Sequence, residues 1–581
     1  MNQTRSFLLI AWLAVAFLLF LEWNKVPAPA AAPAPATSQA AVPAMPAVPG
    51  SSPTGTDLPS VTAAPVTATA PGAPAAAPDG AAPPTALITA QTDVLRLQLD
   101  TRGANLVGAD LLAYPIKKEE PDAKVRLLDA NAANYSVAQS GLLTQAGAAS
   151  PNHEAPFRSE TGATDFRLAE GENTLEVPLV WEDPNTGLRV RKTFVFQRGS
   201  YHITQRVEVQ NRGEQAWRGV AYEQLQRVPP PPTSHTAGLT NPEAYSFVGA
   251  AWYTPAEKFE KVKIADIVED GTRSKSDVAG GWISMLQHHF VLAWIPAKDE
   301  VQNYTMQAVP GPEGRYLVRG ISAPFEVAAG AEVVRETSLW VGPKLQGELE
   351  QIAPGLKLTL DYGILTFLAQ PMFDFLLKPL YNLTGNWGWA IILTVVVIKL
   401  LLYPLSAKQY KSFAKMRAIQ PRIEALKERY GDDKQKFQTA MMELYKKEKV
   451  NPAAGCLPIL ITIPIFIALY WMLLESVEMR QAPWIGWIQN LTAPDPFFIL
   501  PAINLAVMYL TQKMTPTPGM DPMQKKIMTF MPLVFGVMMA FFPAGLVLYW
   551  CTNGILGLAQ QWVITKRHGD GSAGATPAHA K

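Results

Sequence analysis

Hydrophobic positions fall into three rhythms along this chain. Near the start, Phe7 to Trp23 is an almost unbroken apolar run preceded by Arg5. From Leu87 the rhythm changes to short alternating runs broken by Gly, Pro and Asn. LRVRKTFVFQ (188–197) and YHITQRVEVQ (201–210), separated by Arg198-Gly199-Ser200, read as a β-hairpin. The segment 87–345 is therefore expected to be mostly antiparallel β, a large sandwich. Within it, GWISMLQHHFVLAWIP (281–296) reads as a buried strand pair, since His288 and His289 interrupt the apolar run. After residue 386 continuous apolar stretches return. Spans are expected over 386–405, 457–474, 497–511, 527–542 and 544–563, which with the first run makes six.

The connecting segments have patterns of their own. Residues 27–86 are almost entirely Ala, Pro, Ser, Thr and Gly, a composition that buries too little apolar surface to fold, so an extended linker is expected. DYGILTFLAQPMFDFLLKPLY (361–381) mixes large apolar residues with Asp361, Asp374 and Lys378 around Pro371, which suits an interfacial amphipathic helix. In 407–450, Phe413, Met416, Ile419, Ile423, Leu426 and Tyr430 recur at helical spacing. Gly431-Asp432-Asp433 then supplies a stop and a cap, and Phe437, Met441 and Leu444 resume the period. A helical hairpin kinked at Pro421 is expected there, and 564–581 forms a short tail.

Charge orients these pieces. Overall it is nearly balanced, 50 Lys+Arg against 49 Asp+Glu in 581 residues, and direct nucleic-acid binding is not expected. Locally it is uneven: 407–450 holds 12 Lys/Arg against six Asp/Glu, while 475–495 has Arg480 alone as a basic residue. The positive-inside rule puts the hairpin and both termini on the cytoplasmic side and the β domain outside. Residues 1–26 then form an anchor with its N-terminus inside, a cleaved signal peptide being the alternative. The two cysteines, Cys456 and Cys551, lie in apolar C-terminal segments and offer an exported domain no disulfide framework. No nucleotide-motor or zinc-ligand spacing occurs. His288 and His289, as strand neighbours, should face opposite sides and are not expected to share a metal. The sequence thus offers no catalytic, cofactor or metal site.

Lys399 is the only charge between Trp387 and Tyr403. A lysine at the bilayer centre costs at least about 2.5–3.5 kcal/mol on insertion scales, so it meets a partner, a wet cavity or the interface. Four residues of helix, about 6 Å, separate it from Tyr403, which leaves snorkelling to the headgroups open. The stretches 497–511 and 527–542 have 15 and 16 residues. As helix they would run roughly 23–24 Å, short of a hydrocarbon core of about 30 Å, and would thin the bilayer around them. Thr394, Asn504, Thr552, Asn553, Gln560 and Gln561 lie in these spans and, with Lys399, permit a polar groove. On the hairpin, Lys411, Lys415, Arg417, Arg422, Lys427 and Arg429 read either as a face that only fixes topology or as a docking arm for an acidic partner, anionic lipid or an arriving chain.

Several strings, in order, resemble the YidC/Oxa/Alb membrane-protein insertases: LYPL (402–405), KMRAIQPRIEALKERYGDDKQK (415–436), NPAAGCLPILITIPIFIALYWML (451–473), RQAP (480–483), DPMQKKIMTFMP (521–532) and FPAGLVLYW (542–550). WVGP (340–343), the 281–296 strand and the N-terminal run extend the likeness to the Gram-negative form with a periplasmic β-supersandwich. The resemblance implies a multi-domain, polytopic α-helical protein of the bacterial inner membrane, not an enzyme. It would be an ATP-independent insertase and chaperone for nascent inner-membrane proteins in the lipid bilayer, alone or with the Sec translocon (SecYEG, SecDF) and the signal-recognition and ribosome machinery. The family's groove cation, usually arginine, falls on Lys399, which keeps the charge but loses the bidentate fork. Its groove threonine falls on Val395, with Thr394 beside it, and its groove aromatic on Trp550, next to Tyr549. Two rival readings are a secondary transporter or channel for an anionic solute, against which the spans show no inverted repeat, and a carbohydrate-binding module carried on an anchor.

Overall fold

The structure, a computed structural model, describes residues 86–144, 150–229, 247–309, 314–430, 433–448, 453–514 and 522–569. The expected anchor over 1–26, nearly all of the linker over 27–86 and the end of the tail lie outside the described residues.

Period-two alternation builds the β domain. Leu188–Gln197 pairs antiparallel with His202–Asn211, Val190 opposite Val209 and Phe196 opposite Ile203. Their alternate apolar residues point inward. The hairpin belongs to a nine-stranded sheet, and an eleven-stranded sheet faces it. Gln205 Nε2 in the first sheet donates to Ser140 Oγ in the second at 2.9 Å, and Trp294 Nε1 donates across to the Gln224 carbonyl at 3.2 Å. Between the sheets lies a core that includes Trp252 and Trp294, and Trp282 and Trp340 on the other face of the nine-stranded sheet are equally inaccessible. Apolar burial of this kind is the main stabilising term, about 1.5–3 kcal/mol for each large side chain.

The 281–296 run is a strand pair: Trp282–Leu286 lies antiparallel to Phe290–Ile295, Ile283 opposite Trp294. His288 and His289, however, sit in the turn between the two strands, where strand alternation does not apply. Their rings stack with centroids 3.8 Å apart instead of facing opposite sides.

That turn meets the helical part. His289 Nε2 donates to the Leu474 carbonyl at 3.1 Å, and His288 Nε2 lies 3.6 Å from Glu475 Oε1. Arg480 donates to the carbonyls of Pro115 and Ile116 at 2.9 and 3.1 Å, and the Gln346 N–H donates to Glu478 Oε1 at 3.3 Å. Burial holds His288 near a pKa of about 2 and His289 near about 3, so both are neutral imidazoles at neutral pH. Burial also raises the Glu478 carboxyl to about 7 and lowers the Lys344 ammonium, against the opposing pull of Glu475.

The segment 361–381, expected to be interfacial, is helical from Thr366, and the helix runs on to Thr384. Thr366–Met372 is α-helical, Phe373–Leu377 widens to a π-helical turn and Lys378–Thr384 returns to α. Pro371, lacking an N–H, removes one donor from the ladder just before the wide turn. Phe367, Phe375 and Leu383, eight residues apart, are 73–81% exposed and form one uncovered apolar edge. Asp374, the charge within it, accepts from Lys357 Nζ at 2.9 Å and Gln370 Nε2 at 3.1 Å.

From residue 387 onward the α-helices of the described residues are α1 (Trp387–Leu401), α2 (Tyr403–Ala418), α3 (Gln420–Tyr430), α4 (Lys434–Lys447), α5 (Ala453–Glu475), α6 (Ile499–Met514), α7 (Pro522–Met539) and α8 (Ala544–Gly569). Among the described residues no single helix is long and apolar enough to cross a membrane. The bent pair α1 and α2 meets that measure together, and Thr462–Glu475 and Lys526–Met539 are shorter apolar helices. The expected continuous segment 386–405 is broken at Leu402, where the two helices turn by 69°. Pro404 explains the break, since it cannot donate back to the Leu400 carbonyl. The hairpin break likewise falls at Ile419, before Pro421. That proline occupies the first turn of α3, where a missing N–H costs nothing. The end of α2, the break at Ile419 and helices α3 and α4 pack together through Met416, Ile419, Ile423, Met441 and Tyr445, and Asp433 caps α4 by accepting from the N–H groups of Gln435 and Lys436.

Candidate functional site

Helix α1 changes character along its length. Its first half is buried through Trp387, Gly388, Ala390, Ile391, Thr394 and Val395, whereas Leu400 and Leu401 are exposed. Asn386 fixes the start: its side chain accepts from the N–H of Gly388 and of Trp389 and donates to the Trp484 carbonyl at 3.0 Å. Gly388 is required there, because a Cβ would fall 2.1 Å from the Trp484 ring. Around this end, Ile391, Tyr470, Leu473, Leu491 and Leu546 close on one another and leave only about 20 Å³ of space.

The other end opens. A cavity of about 280 Å³ is bounded by Lys399 of α1, by Ser406, Gln409 and Tyr410 of α2, by Thr462 and Phe466 of α5, and by Tyr549, Trp550 and Asn553 of α8. One wall is aromatic. Phe466 stacks on Trp550 with centroids 5.0 Å apart, and Phe542 meets Trp550 edge-on at 5.7 Å. The facing wall is polar. Lys399 has no hydrogen bond or ion pair among the described residues. A site of this size and polarity has room for water.

Of the residues proposed from sequence, Lys399, Tyr549 and Trp550 come together here. Thr394 and Val395 do not line the cavity. Both are 1% exposed in the closed half of α1, and the Thr394 hydroxyl has no partner among the described residues. The other polar residues of the apolar stretches separate by role. Asn553 lines the cavity, Thr552 bonds back to the Leu548 carbonyl at 2.8 Å, and Gln561 Nε2 donates to the Met514 carbonyl at 3.0 Å. Asn504 is buried beside Met508. Sequence reasoning missed Ser406, Gln409 and Tyr410. Their signal was present, because Leu402, Leu405, Ser406, Gln409, Tyr410 and Phe413 follow one helical stripe.

On the hairpin, Lys411, Lys415, Arg417, Arg422 and Arg429 are exposed and Lys427 is half-buried. Arg417 donates to the Met514 carbonyl, Arg422 pairs with Glu448, and Arg429 lies over the Tyr430 ring at 5.4 Å. The basic face is thus partly engaged within the chain.

Two family models cover most of the chain: residues 87–375 match the YidC periplasmic domain, and residues 379–570 match the 60Kd inner membrane protein family. The membrane protein insertase YidC of Stenotrophomonas maltophilia (strain K279a) is 50% identical over all of this chain and 99% of its own length. The chain belongs to the YidC family of membrane protein insertases. The YidC of Xanthomonas campestris pv. campestris (strain 8004) is likewise 50% identical, covering the whole of both chains. A solved structure of an active YidC insertase with its first transmembrane domain resolved is similar at 19% identity, with a TM-score of 0.37, over 82% of this chain and 94% of that one. As a YidC insertase the protein inserts proteins into the inner membrane, and its β-rich domain is the family's periplasmic domain.

Proposed function

We propose that the Lys399 cavity is where this insertase receives its clients and that it works without a nucleotide. A short hydrophilic segment of a nascent inner-membrane protein enters from the cytoplasm. It exchanges bulk water for the wet cavity and the lysine, and the apolar segment behind it slides along α5 and α7 into lipid. The driving force is burial of the client's apolar surface, about 25 cal/mol per Å². The single observation that carries this reading is the ammonium of Lys399, without a partner among the described residues, in a roomy cavity beside an aromatic wall.

The reading includes a topology. Five spans and the N-terminal anchor would place both termini and the basic hairpin in the cytoplasm, with α1 closed at its periplasmic end by the apolar packing around Ile391. Shortness of the apolar helices supports a locally thinned bilayer, which shortens the path a polar segment must cross. The residues Lys411, Lys415 and Arg429 of the hairpin would meet the client or its targeting factor. Cooperation with the Sec translocon is part of the same proposal.

Insertion of a single-span client with an acidic N-terminal tail tests it. Lys399→Ala is expected to lower insertion about tenfold, corresponding to about 1.4 kcal/mol of lost charge-assisted contact, and Lys399→Arg to restore it. Normal insertion by the alanine variant would remove Lys399 from the mechanism.

A further inference from the structure

The RQAP string (480–483) has no part in the Lys399 cavity. It opens the loop between α5 and α6, and both of its polar side chains bond to the β domain. Arg480 Nη1 donates to the Pro115 carbonyl at 2.9 Å and Nη2 to the Ile116 carbonyl at 3.1 Å. Gln481 Nε2 donates to the same two carbonyls, each at 3.1 Å. Pro115 and Ile116 lie near the tip of a long antiparallel hairpin, Asn105–Lys117 with Glu120–Leu128. Lys118, at that tip, donates to the Gln489 carbonyl further along the loop at 2.7 Å. The hairpin thus grips the loop near its start and again near its middle.

Gln481 needs that grip. Its φ is 57°, a left-handed conformation that residues other than glycine adopt at a cost. Held there, it turns the chain so that the Ala482 carbonyl accepts from the Leu491 N–H at 2.9 Å, which closes 482–491 on itself. Beyond that closure the Leu491 and Ala493 carbonyls accept from the N–H groups of Gly545 and Ala544, the first residues of α8, at 2.8 and 2.7 Å. Leu491 thereby sits among Ile391 of α1, Leu473 of α5 and Leu546 of α8, at the end of the helical part where only about 20 Å³ is free. Leu491 and Ile391 are both buried.

We propose that the β domain works as a clasp on this loop: its hairpin, gripped by Arg480 and Gln481, keeps 480–493 seated as a lid that shuts the periplasmic end of the helical part to water and ions. This rests on the topology proposed above. A membrane holding a wet cavity open at one end stays tight only if the other end is sealed, and the clasp seals it without touching the client. Arg480 and Gln481 are positioning residues, acting through Leu491. The two arginine bonds are charge-assisted and therefore the stronger pair. Loss of the grip leaves a left-handed glutamine with nothing to hold it, and its relaxation turns the Ala482 carbonyl away from Leu491.

A thiol beneath the lid tests the clasp. The full-length insertase carries Ile391→Cys in a Cys456→Ser, Cys551→Ser background, and right-side-out inner-membrane vesicles are treated with a membrane-impermeant maleimide. Position 391 is expected to be protected. Arg480→Ala with Gln481→Ala removes all four bonds and should speed labelling about tenfold. Glycine in place of the second alanine, which adopts the left-handed turn freely, should speed it less, about two- to fivefold. Lys118→Met, expected to speed it about two- to fivefold, decides the matter if the double variants fail to assemble. Ala293→Cys, in the buried body of the β domain, should stay protected throughout. Equal acceleration at both thiols would mean a loosened β domain and overturns the lid. Inside-out vesicles separate the two levels: faster labelling there than in right-side-out vesicles reverses the topology, and the clasp falls with it. Labelling unchanged in both preparations sinks the clasp alone.

Discussion

Two lysines in this chain are withdrawn from water in different ways. Lys192, on an inner strand of the β domain, is fully buried. Its ammonium donates to the carbonyls of Gly103 and Ser140 at 2.8 and 2.7 Å and to Ser140 Oγ at 3.2 Å, all three of its donors spent. Lys399 borders a cavity and has spent none among the described residues. Burying a cation is tolerated only when hydrogen bonds replace its hydration. In the β domain the protein supplies those bonds, tying a strand of one sheet to the other sheet. In the helical part the cavity leaves them to water and, on the proposed reading, to the client. A satisfied lysine is a rivet, and an unsatisfied one in a cavity is, on that reading, a binding site.

The comparison makes opposite demands on the two positions. Lys192→Met should destabilise the β domain by about 1–3 kcal/mol, because two buried carbonyls lose their donor. Thermal unfolding of the purified insertase would show it. Lys399→Met should move stability by no more than about 0.5 kcal/mol while insertion collapses. A larger stability loss at Lys399 than at Lys192 would break the distinction.

A smaller effect sharpens the picture at the junction between the two regions. His288 and His289 are held neutral, with pKa values far below the usual 6.5, among Glu475, Glu478, Lys344 and Arg480. Because their folded values are depressed, the unfolded chain takes up protons first as pH falls through 6.5, and the pair then costs stability down to about pH 3. The slope is at most about 1.4 kcal/mol per pH unit for each histidine. Glu478, raised to about 7, changes stability in the opposite sense above its unfolded value of about 4.3. The decisive quantity is therefore a difference: replacing both histidines with glutamine should lessen the acid sensitivity of protease resistance between pH 6.5 and 4. An unchanged acid limb would show the pair is not held neutral.

The smallest effect concerns Thr394. Its hydroxyl is buried and unpartnered, so Thr394→Val should be neutral or stabilising by up to about 1 kcal/mol, with insertion retained. Reduced insertion would return Thr394 to the site.

Much of the β domain was legible because strand alternation is simple. The 188–211 hairpin and the 281–296 strand pair follow from it directly. Even Lys192 obeys the rule, sharing the inward face of Leu188 and Val190, although its type argued for an exposed position. The stacked histidines were not legible, since a turn obeys no alternation and the position of the turn was not fixed. In the helical part, apolar runs located the segments, but not the break at Leu402. The proline that causes it had been counted as part of a span. Lys399 stands out as the lone charge of an apolar run, whereas Tyr549 and Trp550 are indicated only by the family resemblance. Ser406, Gln409 and Tyr410 stand beyond the apolar run and ahead of Phe413, where the helical period of the basic stretch begins.

The break at Leu402 has one more effect. A helix that ends leaves its last carbonyls without partners and carries about half a negative charge there. Lys399 stands in that last turn of α1. Had the coil continued straight through Pro404, those oxygens would have been consumed by the next turn. Ending it there lends the ammonium a diffuse counter-charge, enough to ease its stay in a greasy setting, yet claims no single proton from it. A proline five residues downstream thus keeps the cation both comfortable and available.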